Sequence, residues 1–339
     1  MTRTRRTQAG LSLIELMISI TIGMVVLAAV ALVFVNTSRA RAEIERTSRQ
    51  IENGRYAIEL LSDDLRLAGF YGELNTSTLA VPGWTMGTTN QCSTTVTDWK
   101  SWIPLHVMGF ASGVGFVQGT PASCALDSHK AGTDILLVRR VRTCYEGTST
   151  PAASTDCGDA SVSASKPYLQ VSLCSSDSDS YNMAVGASGL TLKKKNCTAT
   201  AGVRQYYVNV YYISTNNGHG VNVPTLKRLS LDGSSWTTTP LVEGIEEFHL
   251  EYGLDTTGDG GVDSYTATPA DATAWSNVMA VKIWILARNI EESAEAITNK
   301  DYVLGSATTT TYSPTDKYRR HVYSTLVRLV NPAGRRETP

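Results

Sequence analysis

One apolar run dominates the hydropathy pattern of this 339-residue chain. From Leu16 to Val35 no residue carries a charge. At about 1.5 Å per residue, a helix of that length spans roughly 30 Å, the hydrocarbon thickness of a bilayer. Beyond Asn36 the pattern changes without losing its helical character. No proline occurs as far as Leu67, and Gly54 is the sole glycine. Ile44, Ile51, Ile58 and Leu65 recur at steps of seven, with Leu61 as a second position. This predicts one helix that continues out of the span, charged over most of its surface and carrying a narrow apolar stripe. Such a stripe is a packing seam, against a neighbouring helix near the membrane and against the chain's own globular part in the last turns. Gly69 and Gly72 end the helix.

The remainder reads as strands and connections. Residues 73–133 are rich in Thr, Ser and Gly, with Trp84, Trp99 and Trp102 scattered among them, and predict irregular connection with a few short strands. Runs of β-branched and aromatic residues predict strands over 134–141, 204–213, 226–231, 248–254, 278–287 and 320–330. Asp232-Gly233 supplies a hairpin turn, and Asn331-Pro332 reads as a stop. Residues 145–166 are small and polar, a surface excursion. The expected fold is α+β, one long helix packed on a mainly antiparallel β-sheet domain, with no internal repeat.

Charge and cysteines then fix the compartment. Arg3, Arg5 and Arg6 precede the span, and no acid lies among the first ten residues. That bias places the N-terminus in the cytoplasm and everything after Asn36 outside it. The six cysteines, Cys92, Cys124, Cys144, Cys157, Cys174 and Cys197, all lie within 92–197 and show no zinc-type spacing. An even number in a Ser/Thr/Gly/Ala-rich stretch points to disulfides and an oxidising compartment, with the pairing open. With 30 basic and 31 acidic residues the net charge is −1, which gives no reason to expect a nucleic-acid partner.

Glu15 decides what the apolar segment is. Ala29-Val30-Ala31 resembles a signal-peptidase site, and a plain signal anchor would also fit the length. Neither has a use for a carboxylate within a bilayer segment, which costs several kcal/mol. Gly10-Leu11-Ser12-Leu13-Ile14-Glu15-Leu16-Met17 resembles the type IV prepilin motif, with Leu11 where phenylalanine is usual. The resemblance implies cleavage by prepilin peptidase between Gly10 and Leu11, methylation of Leu11, and pairing of Glu15 with a neighbouring subunit's N-terminal amine. It divides the chain into a leader (1–10), a transmembrane half-helix (11–35), an extracytoplasmic half-helix (36–70) and a β-rich globular domain (71–339).

Four further stretches, residues 52–72, 241–255, 281–286 and 319–325, resemble the PilW minor pilins; the cysteine-bearing middle does not. This implies a minor pilin anchored in the inner membrane with a periplasmic domain, then carried to the pilus tip. Its partners would be other minor pilins, the major pilin and a tip adhesin, and its task the priming of pilus assembly for twitching motility, adhesion or DNA uptake. A minor pseudopilin of type II secretion, and an adhesive or ligand-binding module anchored by a pilin helix, are the alternatives.

One stretch has the look of a metal site. Asp255, Thr257, Asp259 and Asp263 fall at oxygen positions of an EF-hand-type calcium loop, with Gly260 and Val262 also in place. The loop's last ligand position holds Thr266 rather than glutamate, so a polar turn is the competing reading. Calcium is thus the one candidate cofactor. The five histidines, His106, His129, His219, His249 and His321, show no ligand or triad spacing, and no G-x-S-x-G or P-loop occurs. Lys193-Lys194-Lys195 reads as a solvated loop. No enzyme is expected.

Overall fold

The computed structural model describes residues 10, 12–83, 85, 87–119, 121–146, 162–293 and 300–337. The chain divides into two compact units, Met1–Arg49 and Gln50–Pro339. The boundary falls within α1 (Leu13–Leu67), so residues 50–70 belong to the globular unit.

In the first unit, α1 presents exposed apolar side chains from Leu13 to Val35. The hydroxyls of Ser19, Thr21 and Thr37 donate to the carbonyls of Glu15, Ile18 and Val33, so they bring no unsatisfied group to an apolar medium.

In the second unit, the buried face of α1 is not the expected stripe. Gln50, Gly54, Ala57, Leu61, Asp64 and Leu65 are buried, whereas Ile51 is exposed and Ile58 half-buried. The buried line also runs at steps of seven, through Gln50, Ala57 and Asp64, one residue ahead of the isoleucines. The real seam uses small residues. A Cβ on Gly54 would stand 2.3 Å from a ring carbon of Tyr323, so only glycine admits that ring. Gly69, with φ +69°, stops the helix in the left-handed conformation.

Two antiparallel sheets supply the core. The larger contains β1 (Val107–Phe110), β2 (Ile135–Val141), β3 (Pro167–Val171), β4 (Tyr181–Val185), β5 (Val203–Ser214), β6 (Thr225–Asp232) and β7 (Ser235–Glu243). β5 is its spine, bonded to β2, β3 and β6. The smaller contains β8 (Ile245–Leu254), β9 (Ser264–Thr266), β10 (Val278–Arg288) and β13 (Arg320–Arg328) in the order β13-β10-β8-β9. Val281, Ile283, Ile285, Phe248, Leu250 and Tyr252 line its core face at matched registers. β11 (Tyr302–Leu304) and β12 (Thr310–Tyr312) form a hairpin whose Tyr302 and Leu304 cluster with Leu286, Trp284 and Val322 of the smaller sheet. The turn of that hairpin wraps the buried Glu251 carboxylate, which accepts from the Ser306 and Thr308 amides at 2.6 and 3.2 Å.

Three short helices complete the unit: α2 (Val96–Ser101), α3 (Ala272–Ser276) and α4 (Val330–Glu337). Residues 73–133 thus hold α2 and β1, more order than their composition indicates. α2 starts where the Thr95 hydroxyl caps the Asp98 amide, and it buries Trp99. β13 ends ahead of Asn331-Pro332, and the proline falls in the first turn of α4, where its missing N–H has no partner to lose.

Disulfides join Cys92 to Cys124 (Cα–Cα 6.0 Å) and Cys174 to Cys197 (5.0 Å). Cys144 is disulfide-bonded as well; Cys157 lies outside the described residues.

Candidate functional site

The processing segment is described from Gly10 and from Ser12 onward; Leu11 lies outside the described residues. Gly10 is exposed. Ser12-Leu13-Ile14-Glu15 has the spacing of a capping box and makes its glutamate half: the Glu15 Oε2 accepts from the Ser12 amide at 3.0 Å, and the Ser12 carbonyl takes the Leu16 amide at 3.2 Å. Helix initiation and carboxylate placement therefore share the same four residues. The Glu15 side chain is exposed, beside the cut that the prepilin resemblance implies.

At the other end of α1, Asp64 joins the helix to the larger sheet. Its Oδ1 accepts from Arg140 Nε at 2.6 Å, and its Oδ2 from Asn209 Nδ2 at 2.9 Å and the Tyr211 hydroxyl at 2.8 Å. Arg140 also lies over the Tyr207 ring. Burial and the Asp64 carboxylate push the Tyr211 phenol well above its ordinary range. Tyr56, Glu59, Leu60 and Asp63 of α1, with Arg140 and Arg228 of the sheet, wall a groove of about 400 Å³ above this cluster. Gln50 Nε2 donates to the Ala287 carbonyl at 2.8 Å and Asn53 Nδ2 to that of Glu243 at 3.0 Å, so the helix engages both sheets through polar side chains.

The Asp255–Asp263 loop keeps its carboxylates occupied. Asp255 is buried; its oxygens accept from the amides of Gly258 (2.6 Å) and Gly260 (2.9 Å) and pair with Arg336 Nη1 at 3.0 Å. Burial alone would raise its pKa, but the arginine and the two amides outweigh it and hold the carboxyl below its ordinary range. Asp263 Oδ2 accepts from the Thr256 and Thr257 amides, and Asp259 Oδ1 from Gly261. A Cβ on Gly260 would stand 2.5 Å from the Ala333 carbonyl, which fits the loop against α4. Among the described residues no group of three or more His, Cys, Asp or Glu side chains is placed to hold a metal. We propose the turn reading on one contact, the Arg336 guanidinium paired with the Asp255 carboxylate that a calcium ion would need. Calcium at 10 mM is expected to move the melting temperature no more than magnesium at the same ionic strength; a calcium-specific rise would restore the metal reading.

The histidines stay apart. His106 is fully enclosed, with Nε2 2.7 Å from the Val278 carbonyl and Nδ1 3.3 Å from that of Pro104; burial pushes its pKa down to about 4. His249 lies 3.3 Å from Glu247, which also pairs with Lys130.

Comparison with known families gives two matches. A prokaryotic N-terminal methylation motif covers residues 5–31, and the family of type IV pilus-assembly protein W covers residues 210–331. They sit at the two ends of a long apolar helix and an antiparallel-sheet unit. Over residues 210–331 the chain resembles type IV pilus-assembly protein W, behind an N-terminal segment that matches the methylation motif. A solved structure, a type IV-like pilin from Thermus thermophilus, is similar at 12% identity, covering 60% of this chain and 81% of that chain with a TM-score of 0.31. No curated protein matches. The region that matches holds β6 to β13, Tyr323 and the Asp255 loop, together with Tyr211. Asp64, Arg140, Asn209 and both described disulfides lie outside it.

Proposed function

We propose that this PilW-type protein is a minor pilin that primes type IV pilus assembly within a tip complex, working by assembly rather than catalysis. The observation that carries the reading is the exposed Glu15 carboxylate inside an otherwise uncharged span, four residues from the methylation-type cleavage point. Prepilin peptidase removes residues 1–10 and Leu11 is methylated. The helix then leaves the inner membrane to pack with other pilin helices, where burial of Glu15 is offset by a neighbour's N-terminal amine. The disulfides and the Gln50–Pro339 unit stand on the periplasmic side.

Two measurements test this. Mass spectrometry of the membrane-extracted chain should find a mature N-terminus at methylated Leu11, and Gly10→Val should leave the precursor uncut. Deletion of the gene should abolish surface pili while secreted enzymes persist, and Glu15→Val should fail to restore them. A start near Leu32, or lost secretion with pili intact, refutes the assignment; the second result is that of a type II secretion pseudopilin.

A further inference from the structure

The free edges of the two sheets are not alike. β7 carries Pro240, and its partner β6 has a register shift between Leu226 and Lys227, two features that discourage pairing with another chain. β1, β4 and β9 have three to five residues each. α2 leans on β4, where the Tyr181 hydroxyl meets the Lys100 carbonyl at 3.4 Å. β13 is the exception, nine residues without proline or glycine, paired to β10 from Arg320 to Arg328 with no register shift.

The register also tells which backbone groups face outward. The Leu329 amide donates to the Met279 carbonyl at 2.8 Å, one step beyond the Arg328–Ala280 pair. In an antiparallel ladder, bonded and non-bonded residues alternate, so the odd-numbered residues of β13 bond to β10. Val322, Ser324, Leu326 and Arg328 turn their N–H and C=O groups away from the sheet. No turn or loop hydrogen bond among the described residues takes these groups. Ser324, Leu326 and Arg328 are exposed, Leu326 at 55%.

We infer that the β13 edge is a docking surface for an extended, acid-bearing strand of another pilin subunit, which adds to the smaller sheet. This deepens the assembly function and rests on it. The free ladder calls for a strand, since only extended backbone presents donors and acceptors at that spacing. Charge selects its chemistry: Lys317 and Arg319 are exposed on the flank at one end of the edge, so carboxylates on the incoming strand meet cations there, while Arg328 at the other end is exposed and already holds Glu337. A second copy of β13 is disfavoured, since Arg320–Arg328 holds no carboxylate to meet these cations. Leu326 supplies the apolar contact between the charged ends.

The position of the amides gives a clean test on the full chain in detergent, alone and co-purified with the other pilin subunits of its cell. Leu326→Pro removes an outward N–H and leaves the ladder to β10 intact, whereas Thr325→Pro removes an inward one and serves as the unfolding control. Leu326→Pro should fold but recover about tenfold less partner pilin, and Lys317→Glu should behave alike. In the wild type, hydrogen exchange at Ser324, Leu326 and Arg328 should slow by about 100-fold in the complex, with Thr325 and Val327 slow in both states. Undiminished partner recovery by a folded Leu326→Pro, protection of the outward amides in the isolated chain, or a β13-linked homodimer would each overturn the docking surface alone. A wild-type chain that recovers no pilin overturns the assembly function and the docking surface together.

Discussion

Replacing Asp64 with alanine is expected to lower the unfolding free energy of the Gln50–Pro339 unit by about 3–5 kcal/mol, the usual result of removing one member of a buried ion pair. The carboxylate side chain is 7% exposed and has three donors on two strands. Its loss leaves the Arg140 guanidinium without its anion and strips acceptors from Asn209 and Tyr211 in a place water reaches poorly. Asp64→Asn keeps the shape and one acceptor, and should cost about 1–3 kcal/mol. Urea titration of the full chain in detergent, followed by tryptophan fluorescence, separates the two variants. A loss below about 1 kcal/mol for the alanine variant would mean that α1 is held by its apolar seam alone.

Nothing in the sequence announces Asp64. Asp63 and Asp64 are adjacent acids on a charged helix, and one is exposed while its neighbour anchors the sheet. Which of them turns inward depends on the phase of the helix, and that phase is set by Gly54 and Ala57, residues too small to register as an apolar stripe. The isoleucines at steps of seven drew the eye to the wrong line. The strands rich in Val, Ile and Tyr were legible because their composition reports burial on a pleated surface. β7 was not, since Ser235-Trp-Thr-Thr-Thr-Pro240 reads as a polar loop until β6 is there to pair with it. β3 and β4 likewise draw their order from the long spine β5 rather than from local propensity.

The N-terminal segment was the most legible part, because an apolar span and a methylation motif are both written in contiguous residues. The C-terminus was the least. Its function in the fold comes from side chains that reach far along the sequence. Asn331 Nδ2 donates to the carbonyls of Arg66 (3.1 Å) and Ala68 (3.3 Å), closing the end of α1, and Arg335 bonds the Gly72 carbonyl at 2.7 Å. The Asp255 loop was noticed for its oxygens, but what organises those oxygens is a cation eighty-one residues away.

That cation carries the second large effect. Arg336→Ala should destabilise the unit by about 3–5 kcal/mol, because Asp255 would stay buried with its counter-charge gone. The side chain also bonds Asn277 Oδ1 at 2.7 Å and the Ser276 carbonyl at 3.2 Å, so α4 loses its hold on α3 as well. The acid profile distinguishes this from simple loss of packing. In the wild type two of the shifted groups near α4 act in separate windows. His106, with a folded pKa of about 4 against an ordinary value near 6.5, binds a proton more readily when unfolded, so stability falls as pH drops through that interval. Asp255, held below the ordinary carboxylate value, contributes stability that is complete above that value and lost only as pH falls through its lower folded pKa. Without Arg336 the leading cause of the second window is removed, so the stability gap between variant and wild type should shrink as pH falls below about 4, while other depressed carboxyls such as Glu251 and Asp316 keep both profiles falling. The His106 window should persist, narrowed slightly because Arg336 is a minor contributor to that depressed pKa. Chemical denaturation at half-unit pH steps from 3 to 7 resolves the two. An Arg336→Ala chain whose profile runs parallel to the wild type at every pH would show that α4 is held by the packing of Pro332 and Ala333, with the ion pair contributing nothing.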